Sequence, residues 1–242
     1  MTHTIPWGAF DAILFDLDGV LTPTAEVHMR AWSEMFNEYL ANVPGQAPYT
    51  DGDYFAHVDG KPRYDGVRDF LTSRGIVLPE GTPEDDEHLE TVCGLGNRKN
   101  SAFNEVLARD GVEPYPGSLA FLEAMKEDYK FAVVSSSKNA PAVLAAAGLS
   151  EYFPVVVDGR VAAAEGLPGK PAPDTFHRAA ELLGATDATS IVVEDAISGV
   201  RAGAAGPFGL VIGVDRGVGE DALREAGADV IVADLSELVV KA

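Results

Sequence analysis

Short apolar runs recur along the chain at residues 12–15, 131–134, 155–157, 191–193, 210–214 and 230–232, with helix-like segments between them. Runs this short, rich in Val, Ile and Phe and bounded by turn residues, suit strands buried on both faces. Strands that alternate with helices pair in parallel through crossover connections. The intervening segments carry helix punctuation. In "SKNAPAVLAAAGL", Asn139 is placed to cap, Pro141 suits a first turn and Gly148 closes the helix. In "PAPDTFHRAAELLGA", Asp174 caps and Gly184 stops, with Phe176, Ala180 and Leu183 on one face. The pattern predicts an α/β fold built on a doubly wound parallel sheet.

One interval breaks the rhythm. Residues 16–130 separate the first two runs, far more than a crossover helix needs. The interval opens with "TAEVHMRAWSEMFNEYL", where Trp32, Met35, Phe36, Tyr39 and Leu40 fall at helical spacing. Further helical stretches are read at 67–73 and 100–109, and the polar "LPEGTPEDDEH" is an exposed loop or a charge-capped helix start. The expected organisation is a sheet domain from 1–23 and 110–242 carrying an inserted α-helical domain at 24–109.

Charge narrows the partners. The formal net charge is −20 over 242 residues, the opposite of what a phosphate-backbone binder needs, so no nucleic-acid partner is expected. Any anionic substrate must then be held by a few placed cations. No apolar run approaches the roughly 20 residues of a membrane helix, and "MTHTIPWGAF" lacks a secretory pattern. A cytoplasmic protein without membrane contact is expected, a monomer rather than an obligate oligomer. The lone cysteine, Cys93, rules out an intrachain disulfide and reads as a structural thiol.

Ligands of an open parallel sheet gather at the carboxyl ends of its strands. The first run there ends in Asp16 and Asp18, the second in "SSSKN" (Ser135, Ser136, Ser137, Lys138, Asn139), and the fourth in Glu194 and Asp195; Lys170 lies in "GKPAPD" between the third and fourth. Carboxylates crowded at one edge repel unless a cation sits among them. Hard oxygen donors without His or Cys suit Mg²⁺, one ion per site, shared with a substrate phosphate.

"LFDLDGVLT", "VVSSSKN", "GKPAPD" and "IVVEDAISGV", in that order, resemble the four motifs of the haloacid-dehalogenase-like superfamily across the whole sheet domain. The resemblance implies a Rossmann-like core with the Asp16 strand central between the Ser135 and Glu194 strands. An aspartate two positions after the nucleophile marks the phosphoryl-transfer branch, so Asp18 argues against carbon–halogen chemistry. By the same resemblance Asp16 is the nucleophile that becomes a transient phospho-aspartate, and Asp18 is the general acid and base. Asp16, the Asp18 carbonyl and Asp195 hold Mg²⁺ with Glu194 in support, while Ser135 and Lys170 hold the transferring phosphoryl oxygens.

"TPTAEVHMRAW", "GKPR" and "NRKN" are similar to the β-phosphoglucomutase-like group within that superfamily. This implies that the inserted domain is a cap. Thr24, His28, Arg63, Lys99 and Asn100 then join Ser136, Ser137, Lys138 and Asn139 as substrate-binding residues, with Arg63, Ser137, Lys138 and Asn139 at a second, distal phosphate. His28 would position Asp18 and sense cap closure, which excludes water from the phospho-aspartate, with hinges at 22–24 and 109–116. The implied reaction turns β-D-glucose 1-phosphate into glucose 6-phosphate through the 1,6-bisphosphate, with a bisphosphate or similar primer. Two other readings stay open: a sugar-phosphate phosphatase using the same residues, and a non-catalytic sugar-phosphate-binding module. Lys61, Pro62 and Tyr64 around Arg63, and a stretch at 75–96 longer than the group's usual cap, direct any difference to the sugar pocket.

Overall fold

The computed structural model describes residues 5–239. In chain order the elements are β1 (Ala12–Phe15), α1 (Thr24–Leu40), α2 (Asp51–His57), α3 (Arg63–Ser73), α4 (Val92–Asp110), α5 (Pro116–Met125), β2 (Lys130–Val134), α6 (Ala140–Ala146), β3 (Val155–Val157), α7 (Gly159–Glu165), α8 (Asp174–Leu182), β4 (Ser190–Glu194), α9 (Ile197–Ala205), β5 (Leu210–Val214), α10 (Glu220–Ala226) and β6 (Val230–Val232). Residues 5–23 with 112–239 form one compact unit, and Thr24–Gly111 forms the other.

In the first unit all strands are parallel, in the order β3-β2-β1-β4-β5-β6. The chain winds outward from β1 in both directions, so the order reverses between β1 and β4, where an open sheet leaves a crevice beyond its strand ends. Register levels those ends: Phe15 pairs with Val133 on one side and Val193 on the other. Asp16 therefore emerges beside Val134 and Glu194. The doubly wound architecture expected from the apolar runs is the one observed, with β1 buried along its whole length.

Alternation along β1 divides the core into two layers. Leu14 joins Ala132, Val134, Phe176, Ala180, Val192 and Val200 on one face. On the other face Phe15 makes edge contacts with Phe121, Phe131 and Phe153, at centroid distances of 6.1, 5.4 and 5.9 Å. A fully buried phenylalanine is worth about 2–3 kcal/mol of transfer free energy, so this cluster anchors the central strand directly beneath Asp16.

The second unit is helical. Trp32, Met35, Phe36, Tyr39 and Leu40 of α1 are buried against Tyr49, Tyr54, Val67, Phe70, Val92 and Leu95, as their spacing predicts. The helix read at 100–109 is the latter half of α4, which begins at Val92 because the Thr91 hydroxyl accepts from the Gly94 amide. A further helix, α2, has no apolar stripe to announce it; reciprocal capping by Thr50 and Asp53 starts it. The polar stretch 78–88 contains no helix, which settles its reading as a loop.

Two cap assignments need correction. Asn139 occupies the position before α6 but makes no side-chain capping bond, and Asp174 lies inside α8, with Pro173 before it. Gly148 and Gly184 do close their helices with positive φ of 68° and 66°. Among the described residues, no helix is long and apolar enough to cross a membrane.

Candidate active site

Asp16, the first residue past β1, is held by its backbone amide donating to the Val193 carbonyl at 2.9 Å. Its Oδ1 accepts from Lys170 Nζ at 2.5 Å. The same ammonium donates to Glu194 Oε1 at 2.6 Å and to the Val134 carbonyl at 2.9 Å. Lys170 thus spends all three N–H bonds on the ends of β1, β2 and β4. The other oxygen of Glu194 accepts from the amides of Asp195 and Ala196, each at 2.9 Å. Glu194 therefore fixes both the lysine and the turn that presents Asp195.

Asp16, Glu194 and Asp195 are all buried and offer oxygens within 4.8 Å of one another. The Asp18 carboxylate is not in that set. Burial pushes the Asp16 carboxyl well above the usual range, with Glu194 and Asp18 adding to the shift and Lys170 opposing it. Burial alone would depress the Lys170 ammonium, but Asp16 and Glu194 outweigh it and hold it above its ordinary value. Three carboxylates against one ammonium leave an excess equal to one divalent cation. The donors are hard oxygens without sulfur or imidazole, so the residues present fit Mg²⁺.

The backbone is shaped to this cluster. Gly19 has φ +94°, and a Cβ there would fall 1.9 Å from Asp195 Oδ2. A Cβ on Gly199 of α9 would fall 1.7 Å from Glu194 Oε1. Both carboxylates thus occupy space that only glycine leaves open. The turn carrying half-buried Asp18 closes through the Gly19 amide on the Thr22 carbonyl at 2.8 Å. Outside it, Arg216 Nε donates to the Gly19 carbonyl at 2.8 Å, and its guanidinium lies 3.8 Å from the Tyr115 ring centroid.

Past β2, buried Ser135 accepts from the Ser137 amide at 3.1 Å, and Ser137 Oγ accepts from the Asn139 amide at 3.1 Å. These bonds fold "SSSKN" into a compact turn that includes half-buried Ser136 and Lys138. The structure thereby brings Asp16, Ser135, Lys170, Glu194 and Asp195 to one sheet edge.

Thr24, His28, Arg63, Lys99 and Asn100 belong to the helical unit, in two groups. Lys99 Nζ contacts His28 Nδ1 and lies 5.0 and 5.1 Å from the rings of Trp32 and Phe103. Thr24 opens the helix that carries His28 and is buried. In the other group, Arg63 donates to Asn100 Oδ1 at 2.6 Å and to Asn97 Oδ1 at 3.4 Å. Burial lowers the Arg63 pKa from its ordinary value.

Reasoning from sequence passed over Arg216 and Asn97. Arg216 follows β5, and extending the strand-end rule one strand further would have reached it. Asn97 stands in "NRKN" beside residues that were selected, but nothing local distinguishes it.

A buried carboxylate bonded to an ammonium, with an acidic pair beside them, at the strand ends of a doubly wound sheet is the arrangement expected of the superfamily that the four motifs resemble. The chain belongs to the haloacid dehalogenase-like hydrolases, whose family model matches residues 10–206. Within that family it is similar to enzymes named β-phosphoglucomutase. It is 50% identical to that of Mycobacterium bovis over 94% of this chain and 91% of the relative, and 32% identical to that of Bacillus subtilis over 95% and 92%. The crystal structure of β-phosphoglucomutase from Clostridium difficile shares the fold, with a TM-score of 0.75 and 24% identity over 95% of this chain and 93% of the other.

Proposed function

We propose that this enzyme is a cytoplasmic β-phosphoglucomutase, converting β-D-glucose 1-phosphate to glucose 6-phosphate through a phospho-aspartate on Asp16. The observation that carries the reading is the buried Asp16–Lys170–Glu194 chain of hydrogen bonds at the end of the central strand. It supplies a fixed carboxylate nucleophile with a permanent cation beside it.

Asp16 attacks phosphorus of a sugar bisphosphate, and the bond from phosphorus to the ester oxygen breaks as Asp18 protonates that oxygen. In the second half, Asp18 takes the proton of the accepting sugar hydroxyl as that oxygen attacks the phospho-aspartate, and the acyl-phosphate bond breaks to free Asp16. Ser135 would donate to the phosphoryl oxygens through both transfers, where a single such donor is typically worth about 10²–10³ in rate, while Lys170, its three N–H bonds already made to Asp16, Glu194 and the Val134 carbonyl, acts on them through its charge. Asp16, Asp195 and the Asp18 carbonyl would hold Mg²⁺, with Glu194 setting their geometry. When bound, the ion neutralises the phosphoryl oxygens and the carboxylates facing them. In this reading Arg63 binds the non-reacting phosphate, and the helical unit is the cap that excludes water.

The test is product analysis with Mg²⁺, β-glucose 1-phosphate and a catalytic amount of glucose 1,6-bisphosphate. Glucose 6-phosphate is the expected product. Inorganic phosphate as the main product would replace the mutase by a sugar-phosphate phosphatase, and no turnover across a panel of sugar phosphates would overturn both.

A further inference from the structure

The Arg63 guanidinium is half-buried, and the partners it holds are neutral: the amide oxygens of Asn97 and Asn100 and, at 5.8 Å, the ring of Tyr64. A guanidinium placed against neutral groups keeps its full charge for an anion. Its orientation then depends on what fixes those groups, and Asn97 is fixed from every side. Its Oδ1 accepts from Arg63 Nη1 at 3.4 Å and from the Tyr64 hydroxyl at 2.9 Å. Its Nδ2 donates to the carbonyls of Pro83 and Asp85 at 3.1 and 2.9 Å. Both donors and both lone pairs of the amide are used, which permits one flip state and one rotamer.

Pro83 and Asp85 belong to the polar loop between α3 and α4, which has its own clasps. The Val92 and Cys93 amides donate to the carbonyls of Pro79 and Glu80 at 3.0 and 3.1 Å. Arg98 Nε donates to the Glu87 carbonyl at 2.8 Å, and Thr91 Oγ1 donates to Asp85 Oδ2 at 2.6 Å. Gly81 has φ +74°, and a Cβ there would fall 2.1 Å from Asp85 Oδ2, so the loop packs on itself around that carboxylate. The loop is thus an ordered brace whose one amide bridge to Arg63 is Asn97.

We propose that Asn97 is a positioning residue for substrate, coupling the 79–91 loop to Arg63 so that the guanidinium is presented to the non-reacting phosphate of the sugar bisphosphate. This rests on the proposed phosphotransferase reading, in which Arg63 binds that phosphate. Asn97 recognises nothing itself. It keeps Arg63 aimed and supplies a neutral oxygen where a carboxylate would neutralise the cation.

The test compares Asn97→Asp and Asn97→Ala with wild type by steady-state kinetics and by calorimetric titration of glucose 1,6-bisphosphate. Asn97→Asp places a charge beside Arg63 and an oxygen in place of the amide nitrogen against the Pro83 and Asp85 carbonyls; Asn97→Ala only removes the bridge. The expected result is a rise in KM and Kd of about tenfold or more for Asn97→Asp and about three- to fivefold for Asn97→Ala, with kcat within about threefold. A merely structural role would lower the melting temperature without that split. KM and Kd within twofold of wild type for folded Asn97→Asp would overturn the proposal. Wild-type protein inactive on every sugar phosphate yet binding the bisphosphate in an Asn97-dependent way would overturn the phosphotransferase reading and leave the positioning role standing.

Discussion

Replacing Lys170 by methionine isolates the charge balance of the strand-end cluster. The methionine keeps most of the packing volume and removes the ammonium that donates to Asp16 at 2.5 Å, Glu194 at 2.6 Å and the Val134 carbonyl at 2.9 Å. The lysine and Glu194 side chains are each 1% exposed, so water cannot take its place. Stripping one partner from a buried ionic cluster costs about 3–5 kcal/mol, which for a chain of this size is a fall in Tm of roughly 6–20 °C. Removing the cation also removes what opposes the upward shift of Asp16, so the carboxyl binds its proton more tightly in the folded state. A carboxyl whose folded pKa is raised destabilises when ionised; that penalty is complete above the folded pKa, shrinks as pH falls through it and is gone below the unfolded pKa. Denaturant unfolding in the presence of EDTA should therefore show the wild-type advantage narrowing as pH falls from neutral into the acid range. An advantage below about 1 kcal/mol, or one unchanged over that range, would refute the assignment of Lys170 as charge compensation.

Other expectations follow from the same geometry. Gly19→Ala pays about 1–2 kcal/mol for its left-handed backbone and drives a methyl into Asp195, so Mg²⁺ affinity measured by calorimetry should fall while circular dichroism stays native. Asp16→Asn should retain its fold and lose acid-labile incorporation of labelled phosphate from a sugar bisphosphate; substantial retained turnover would remove Asp16 as nucleophile. Millimolar Mg²⁺ should raise the wild-type Tm near neutral pH and raise it less in acid, because Asp16, with its raised pKa, then competes for a proton; equal shifts at both would count against Asp16 as a ligand. At the surface, His177 Nδ1 lies 2.8 Å from Asp187, whose hydrogen bond and charge raise the imidazole pKa. That stabilisation is present below the unfolded pKa of about 6.5 and is lost as pH rises through the folded value. His177→Ala should cost below about 1 kcal/mol in mild acid and nothing in alkali, as read by paired denaturation curves.

The sheet and the identity of its strand-end residues were legible in the chain because they are local properties. Leu14 and Phe15 point to opposite faces whatever surrounds them, and a Val-rich run that stops at an acidic pair marks a strand and its functional end in the same few residues. The stripe on α1 is equally local, since residues three and four apart share a helix face. Helix α2, which has no stripe, and the caps assigned to Asn139 and Asp174 escaped for the complementary reason: capping depends on backbone angles that composition does not fix.

What only the tertiary structure decided is which of those residues meet. Lys170 lies 154 positions from Asp16 and 24 from Glu194 in the chain, and no periodicity relates them; the shared register of β1, β2 and β4 brings its ammonium onto all three strand ends. The neutral setting of Arg63 likewise depends on Asn97, 34 positions away, and on a loop that reads as featureless polar sequence. Sequence by itself determined the inventory of charges and the strands and helices that carry them. Their pairing was decided by chain topology, because a hydrogen bond or a desolvated charge exists only once distant segments are packed close enough to exclude water.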